Sequence, residues 1–222
     1  MARGIKLVIF DVDGVLVEVK SSWGYIHRRL GVEEEAMKVK EMFERGSIDY
    51  IEWMRLDTEL WIRASGGRLH RSRLMEIVGE IPVRKEAFEA VRMLRRMGLR
   101  IGLVSSGIDL LVRRVAAEIG ADAWASNRLL FDKNGFLQPG GSPLVGVDKR
   151  GAVTRMAYEL GASLEEVAYV GDSRWDASAM SIVGLPIAYN DGGELDGVAR
   201  ARVDSLLDVP RVVAEWGRAR AR

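Results

Sequence analysis

The chain has 222 residues, room for one large domain or one with a small companion, and its 48% hydrophobic and 29% charged residues exclude a wholly disordered polypeptide. Its 33 basic residues against 32 acidic ones leave a net charge of +1, so no global field recruits nucleic acid or a membrane surface. With no cysteine there is no disulfide framework, zinc–thiolate site or thiol nucleophile.

No apolar run reaches the length of a membrane span and no secretory leader pattern is visible, so a soluble, cytoplasmic protein is expected, as monomer or homodimer. Arg makes up 26 of the 33 basic residues, and Asn and Gln together number four, a composition that fits a thermophile. Arg218, Arg220 and Arg222 at the end read as a solvated helix terminus rather than a basic binding tail.

Leu7–Phe10 is a short, continuous apolar run, the pattern of a strand buried on both faces, and it ends in Asp11-Val12-Asp13-Gly14. Between about 18 and 80 the sequence turns helical, with helices predicted over 23–30, 33–44, 48–64 and 71–78 and no strand between them. A helix over 85–97 follows, then a strand at 100–104 ending in Ser105-Ser106-Gly107, and a helix over 110–119. Arg128–Phe131, the turn Asp132-Lys133-Asn134-Gly135 and Phe136-Leu137 read as a hairpin with Asn-Gly at its turn. After a helix over 151–160, strands at 167–170 and 185–189 end in Gly171-Asp172-Ser173 and Asn190-Asp191-Gly192. Strands alternating with helices predict an α/β fold, a doubly wound, Rossmann-like parallel sheet with a helical insert after its first strand.

Ligands of such sheets bind outside the carboxyl ends of the strands. Those ends carry Asp11 and Asp13, then Ser105 and Ser106, then Asp172 and Asp176, with Lys149 in a loop nearby. Clustered carboxylates repel unless a cation sits among them, and a few carboxylates with water and a substrate phosphate suit Mg²⁺. Ser105 is expected to open a helix, whose free N–H groups favour an anion. Metal, anion cradle, lysine and a spare carboxylate are the parts phosphoryl transfer needs. Each feature alone has a bland explanation as a turn, a cap or a surface lysine; their convergence on one sheet edge does not. Competing motifs fail. Val147 stands where a Walker loop needs lysine, Trp175 where a nucleophile elbow needs glycine, and both His27 and His70 fall in the insert.

Taken in order, Asp11-Val12-Asp13-Gly14-Val15, Ser105, Lys149 and Gly171-Asp172-Ser173-Arg174-Trp175-Asp176 resemble the four motifs of the haloacid dehalogenase superfamily. Leu103–Asp109, Ser126–Leu129 and the stretch near Ala188-Tyr189-Asn190 are similar to its phosphoserine phosphatase branch. The resemblance implies a core domain of residues 1–17 and 81–222 and a helical cap domain of residues 18–80. It implies Asp11 as the nucleophile that forms an aspartyl-phosphate and Asp13 as the acid and base, its backbone carbonyl on Mg²⁺. Asp172 would complete the metal site, Asp176 would hold a metal-bound water, and Ser105, Ser106 and Lys149 would bind the phosphoryl oxygens. The implied activity is hydrolysis of a small phosphorylated metabolite. A phosphotransferase or mutase on the same scaffold, and a non-enzymatic phosphometabolite binder, are the alternatives.

The sequence departs from that branch where the branch reads its substrate. Lys20 stands in register with the acid that takes the amino group, and Asp57 with the arginine that takes the carboxylate; Glu18 and Arg55 lie two residues away, where a local shift would bring them in, so Lys20, Arg55 and Asp57 are the candidate substrate-binding residues of the insert. Both charges are reversed, which points to an ester other than phosphoserine. Trp175 replaces an expected asparagine, and Tyr50, Trp53, Met54, Leu60 and Trp61 form an aromatic stripe in the insert.

Overall fold

All four side chains of β1 (Leu7–Phe10) are buried, because both faces of this strand are covered and both edges are paired. The computed structural model describes residues 4–220. Residues after β1 form α1 (Ser22–Leu30), α2 (Glu33–Glu44), α3 (Tyr50–Ala64) and α4 (Arg71–Gly79). The chain continues through α5 (Lys85–Arg96), β2 (Arg100–Ile108), α6 (Asp109–Ile119), β3 (Ala123–Phe131) and β4 (Leu137–Ser142). It ends with α7 (Arg150–Glu159), β5 (Val167–Gly171), α8 (Ala177–Met180), β6 (Leu185–Tyr189), β7 (Ala201–Val203) and α9 (Val209–Arg220). Arg222 lies outside the described residues.

The sheet order is β4-β3-β2-β1-β5-β6-β7, parallel except for the antiparallel β3–β4 pair. Leu7 is in register with Arg100 of β2 on one side and Val167 of β5 on the other. The order therefore reverses between β1 and β5, and a crevice opens at the carboxyl ends of these two strands.

Alternate residues of each strand serve opposite layers. Val8 and Phe10 pack with Leu103, Val91, Leu94 and Val115, in the layer of α5, α6 and α9. Leu7 and Ile9 pack with Val153, Met156 and Met180, in the layer of α7 and α8. The first layer continues into the helical segment, where Ile26, Leu60, Trp61, Leu74 and Ile77 belong to the same buried cluster as Phe10. Gly140 N–H donates to Thr58 Oγ1 at 2.7 Å and ties β4 to α3.

The structure corrects the reading of Ser105. The strand does not stop at 104: β2 runs to Ile108, and α6 begins at Asp109, so Ser105 opens no helix. A bulge makes the difference. Ser105 pairs with Ser126 but Ile108 with Asn127, so Ser106 and Gly107 are extra residues on β2. Among the described residues no helix is long and apolar enough to cross a membrane.

Candidate active site

Asp11 leaves β1 at the switch point with its carboxylate pinned at both oxygens. Oδ1 accepts the Val12 N–H at 2.7 Å, and Oδ2 accepts Lys149 Nζ at 2.8 Å. Lys149, wholly buried at the start of α7, also donates to Asp176 Oδ1 at 2.7 Å. Tyr169 OH donates to that same oxygen at 2.8 Å, while Asp176 Oδ2 accepts the N–H groups of Asp172 at 3.0 Å and Ser173 at 3.3 Å. Burial works against the ammonium of Lys149, but Asp11 and Asp176 more than offset it and hold its pKa above the ordinary lysine range. Burial likewise pushes Asp11 up, and Lys149 pulls it back. For Tyr169, burial and the neighbouring carboxylates act together, so the phenol stays a proton donor.

Two residues on, Asp13 Oδ2 accepts from both the N–H and the hydroxyl of Ser22, each at 2.7 Å, while its Oδ1 is buried without a partner. Burial raises its pKa, against those two hydrogen bonds. Gly14, at φ +79°, has no side chain because none fits: a Cβ would stand 2.1 Å from Asp172 Oδ2. Gly107 is constrained in the same way, since a Cβ there would meet Ser22 Oγ at 2.7 Å and Asp13 Oδ2 at 3.0 Å. The close approach of β1's end to β2's bulge and to the loop after β5 thus depends on two missing side chains. Ser105, fully buried, accepts the Gly107 N–H at 3.1 Å and faces the same space.

Asp11, Asp172 and Asp176 each offer an oxygen within 4.8 Å of the others, all buried. The carboxylates of Asp11 and Asp172 make an oxygen-rich donor pair that fits a hard divalent cation. The two oxygens of Asp176 accept four donors, which anchor Lys149 and the loop after β5.

The crevice widens into a cavity of about 680 Å³ between the sheet edge and helices α1 to α3. Its lining brings Asp11, Asp13, Ser105, Ser106, Lys149 and Asp172 together with Lys20, Tyr50, Trp53 and Asp57 of the helical segment. Lys20 Nζ donates to Asp172 Oδ2 at 2.6 Å and so stands at the carboxylate end of the cavity. Burial raises the Asp172 pKa and Lys20 opposes it. Asp57 is buried in the opposite wall, with His27 Nε2 3.4 Å from its Oδ2.

Two expected binding residues do not face this space as anticipated. Arg55 is absent from the lining, because Glu52 and Glu59 engage its guanidinium on the outer side of α3. Ser106 lines the cavity but spends its hydroxyl on the Gly146 carbonyl at 2.5 Å. Trp175 is half-buried at the rim, with the Arg174 guanidinium 5.0 Å from its ring centroid. Arg174 also reaches Glu44 of α2 at 3.0 Å and bridges the two sides.

Sequence reasoning missed Tyr169, Ser22 and Asn127 as supporting groups. Asn127 donates to Ser106 O and Tyr50 OH, each at 2.8 Å, and accepts the N–H groups of Val145 and Gly146. A polar residue in the middle of a strand pattern was its signal. Tyr169 read as an ordinary core aromatic.

Residues 5–184 match the family model of the haloacid dehalogenase-like hydrolases. The chain is 31% identical over 221 residues to a phosphoserine phosphatase of Archaeoglobus fulgidus, covering 96% of this chain and 62% of that protein. It is 29% identical over 204 residues to the phosphoserine phosphatase SerB2 of Mycobacterium tuberculosis, covering 90% of this chain and 47% of that one. The chain thus spans about half to three-fifths of these two relatives. A solved structure of a phospho-aspartyl intermediate analogue of phosphoserine phosphatase superposes with a TM-score of 0.73 at 26% identity, covering 91% of this chain and 95% of that one.

Proposed function

The chain belongs to the haloacid dehalogenase-like hydrolases, and we propose that within this family it is a Mg²⁺-dependent phosphomonoesterase acting on a small phosphorylated metabolite through an aspartyl-phosphate on Asp11. The observation that carries the reading is the buried Asp11–Lys149–Asp176 chain beside Asp13 and Asp172 at the switch point. The resemblance to phosphoserine phosphatases, one of them solved as a phospho-aspartyl intermediate analogue, supports it.

In this reading an Asp11 oxygen attacks phosphorus, a P–O(Asp11) bond forms and the P–O(alkyl) bond breaks. Asp13 gives its proton to the departing alkoxide. The same carboxylate then takes a proton from the water that attacks phosphorus, and inorganic phosphate leaves with Asp11 restored. Ser105 and Lys149 hold the phosphoryl oxygens, and Asp176 with Tyr169 keeps Lys149 aimed. Asp11, Asp172 and the Asp13 backbone carbonyl would hold Mg²⁺, which when bound supplies charge neutralisation to the phosphoryl oxygens. Residues 1–17 and 81–222 would act as the core and residues 18–80 as a cap that excludes water from the cavity. The arginine-rich, amide-poor composition supports a heat-stable protein.

The test is phosphate release from a panel of small phosphoesters with Mg²⁺ or EDTA, wild type beside Asp11→Asn. Release that needs Mg²⁺ and disappears in the variant is expected. Silence across the panel from folded, Mg²⁺-supplied protein contradicts the reading.

A further inference from the structure

Asp57 is a buried acid that the proposed chemistry does not use. Only 3% of its surface is exposed, and it sits in the cavity wall formed by α3. One oxygen, Oδ2, faces His27 Nε2 at 3.4 Å; the other, Oδ1, is buried with no hydrogen-bond partner. Burial raises the Asp57 pKa, and His27 and the Trp53 indole one turn away oppose it.

His27 does not supply the missing charge. Its Nδ1 accepts the Trp61 indole N–H at 2.9 Å, and an indole nitrogen is a donor only. While that bond stands, Nδ1 carries no proton, and the ring's single N–H is the Nε2 group that faces Asp57. A neutral imidazole offers one donor and leaves the carboxylate's negative charge in place. Among the described residues no Lys or Arg pairs with Asp57; Arg55 two residues earlier is turned outward onto Glu52 and Glu59.

Lys149 and Lys20 are engaged by Asp11, Asp176 and Asp172 at the sheet edge, while Asp57, in the α3 wall of the same cavity, has no such cation beside it. Tyr50 lies between, its hydroxyl within electrostatic reach of Lys149, Asp57 and Asp13. Tyr50, Trp53 and Trp23 add aromatic surface to the lining, the partner that a cation takes beside a carboxylate.

Resting on the phosphomonoesterase reading, we propose that Asp57 is a specificity-determining residue that takes an ammonium group on the leaving alcohol, so the substrate class is a phosphorylated amino alcohol without a carboxylate. A dianionic phosphate beside Lys149 at the Mg²⁺-loaded sheet edge and a cation beside Asp57 match the groups at the two places. A substrate carboxylate placed against Asp57 would meet a second negative charge in a desolvated wall.

The experiment compares kcat/KM for ethanolamine phosphate, glycerol phosphate and phosphoserine in the Mg²⁺-loaded wild type and in Asp57→Asn. The expected result is a wild-type preference for ethanolamine phosphate over both others. Asp57→Asn should lower the ethanolamine-to-glycerol phosphate ratio by about tenfold to a hundredfold, the worth of a charge-assisted hydrogen bond. A wild-type preference for phosphoserine or glycerol phosphate, or a ratio unmoved by the substitution, overturns the proposal. Asp57→Asn keeps the side-chain shape, and its thermal melt verifies folding. Should no ester be turned over, the reaction assignment fails on its own, and calorimetric titration with ethanolamine phosphate decides the subsite. At least tenfold tighter binding by wild type than by Asp57→Asn upholds it, and equal binding overturns it.

Discussion

The two ends of the cavity treat buried charge in opposite ways. At the sheet edge, Lys149 is shared by Asp11 and Asp176, and Tyr169 and two backbone N–H groups complete the set. In the α3 wall, Asp57 has the His27 imidazole beside one oxygen and no hydrogen-bond partner on the other. The first arrangement, the set around Lys149, is hydrogen-bonded within the chain, as a group that must position reacting atoms requires, although Asp13 Oδ1 beside it is also without a partner. The second is complete only when something else enters, as a group that must discriminate requires.

Removing the proposed nucleophile should break the comparison most severely. Asp11→Asn should lower phosphate release by at least about a thousandfold, with substrate binding surviving in a calorimetric titration. Lys149→Met tests the compensated end as a structural unit, since it strands two buried carboxylates. A loss of about 3–5 kcal/mol is expected from the denaturant midpoint, together with loss of turnover. Acting on both ends, Lys20→Glu combined with Asp57→Arg restores the charges that the phosphoserine branch carries, and should raise kcat/KM for phosphoserine about tenfold or more. No gain in a folded double variant would show that these two positions do not set selectivity.

The smallest expected effect is one of pH. Burial raises the folded-state pKa of Asp57 above its unfolded value, against the pull of His27 and Trp53. Below the unfolded value, near 4, both states hold the proton. As pH rises from there through the folded pKa, the native chain holds it more tightly than the unfolded one, so stability is lost across that window. Asp57→Asn escapes this loss, and its stability relative to wild type should grow from acid to neutral pH in parallel denaturation series. Parallel curves would mean that the carboxyl ionises in the folded chain as freely as in the unfolded one.

Much of this was legible in the sequence, for identifiable reasons. The four helices after β1 carry strong periodicity, and the apolar runs of β1, β5 and β6 are buried on both faces, so pattern alone located them. β4 was only partly legible, because Leu137–Ser142 carries Pro139, Gly140 and Gly141, tolerable because β4 lies at the sheet's edge. The bulge that carries β2 past Ser105 leaves no mark on hydrophobic spacing, which is why the strand's end was placed too early and Ser105 was read as opening a helix.

In the site, strand-end residues such as Asp11, Asp13 and Asp172 announced themselves by position, and the structure gathers them with Lys149 around one crevice. The outward turn of Arg55 was not readable, since it depends on Glu52 and Glu59 one helical turn to either side competing for the guanidinium. Nor was the His27–Asp57–Trp61 contact, which joins helices α1 and α3 across 30 residues of chain separating His27 from Asp57.

The most direct test of the central reading is to quench a reaction in progress with acid and locate phosphate on the polypeptide by peptide mass spectrometry. The account predicts a phosphoryl group on the peptide that contains Asp11, formed from substrate and absent in Asp11→Asn. Steady turnover with no covalent phosphate at Asp11, or with the label on another residue, would contradict it.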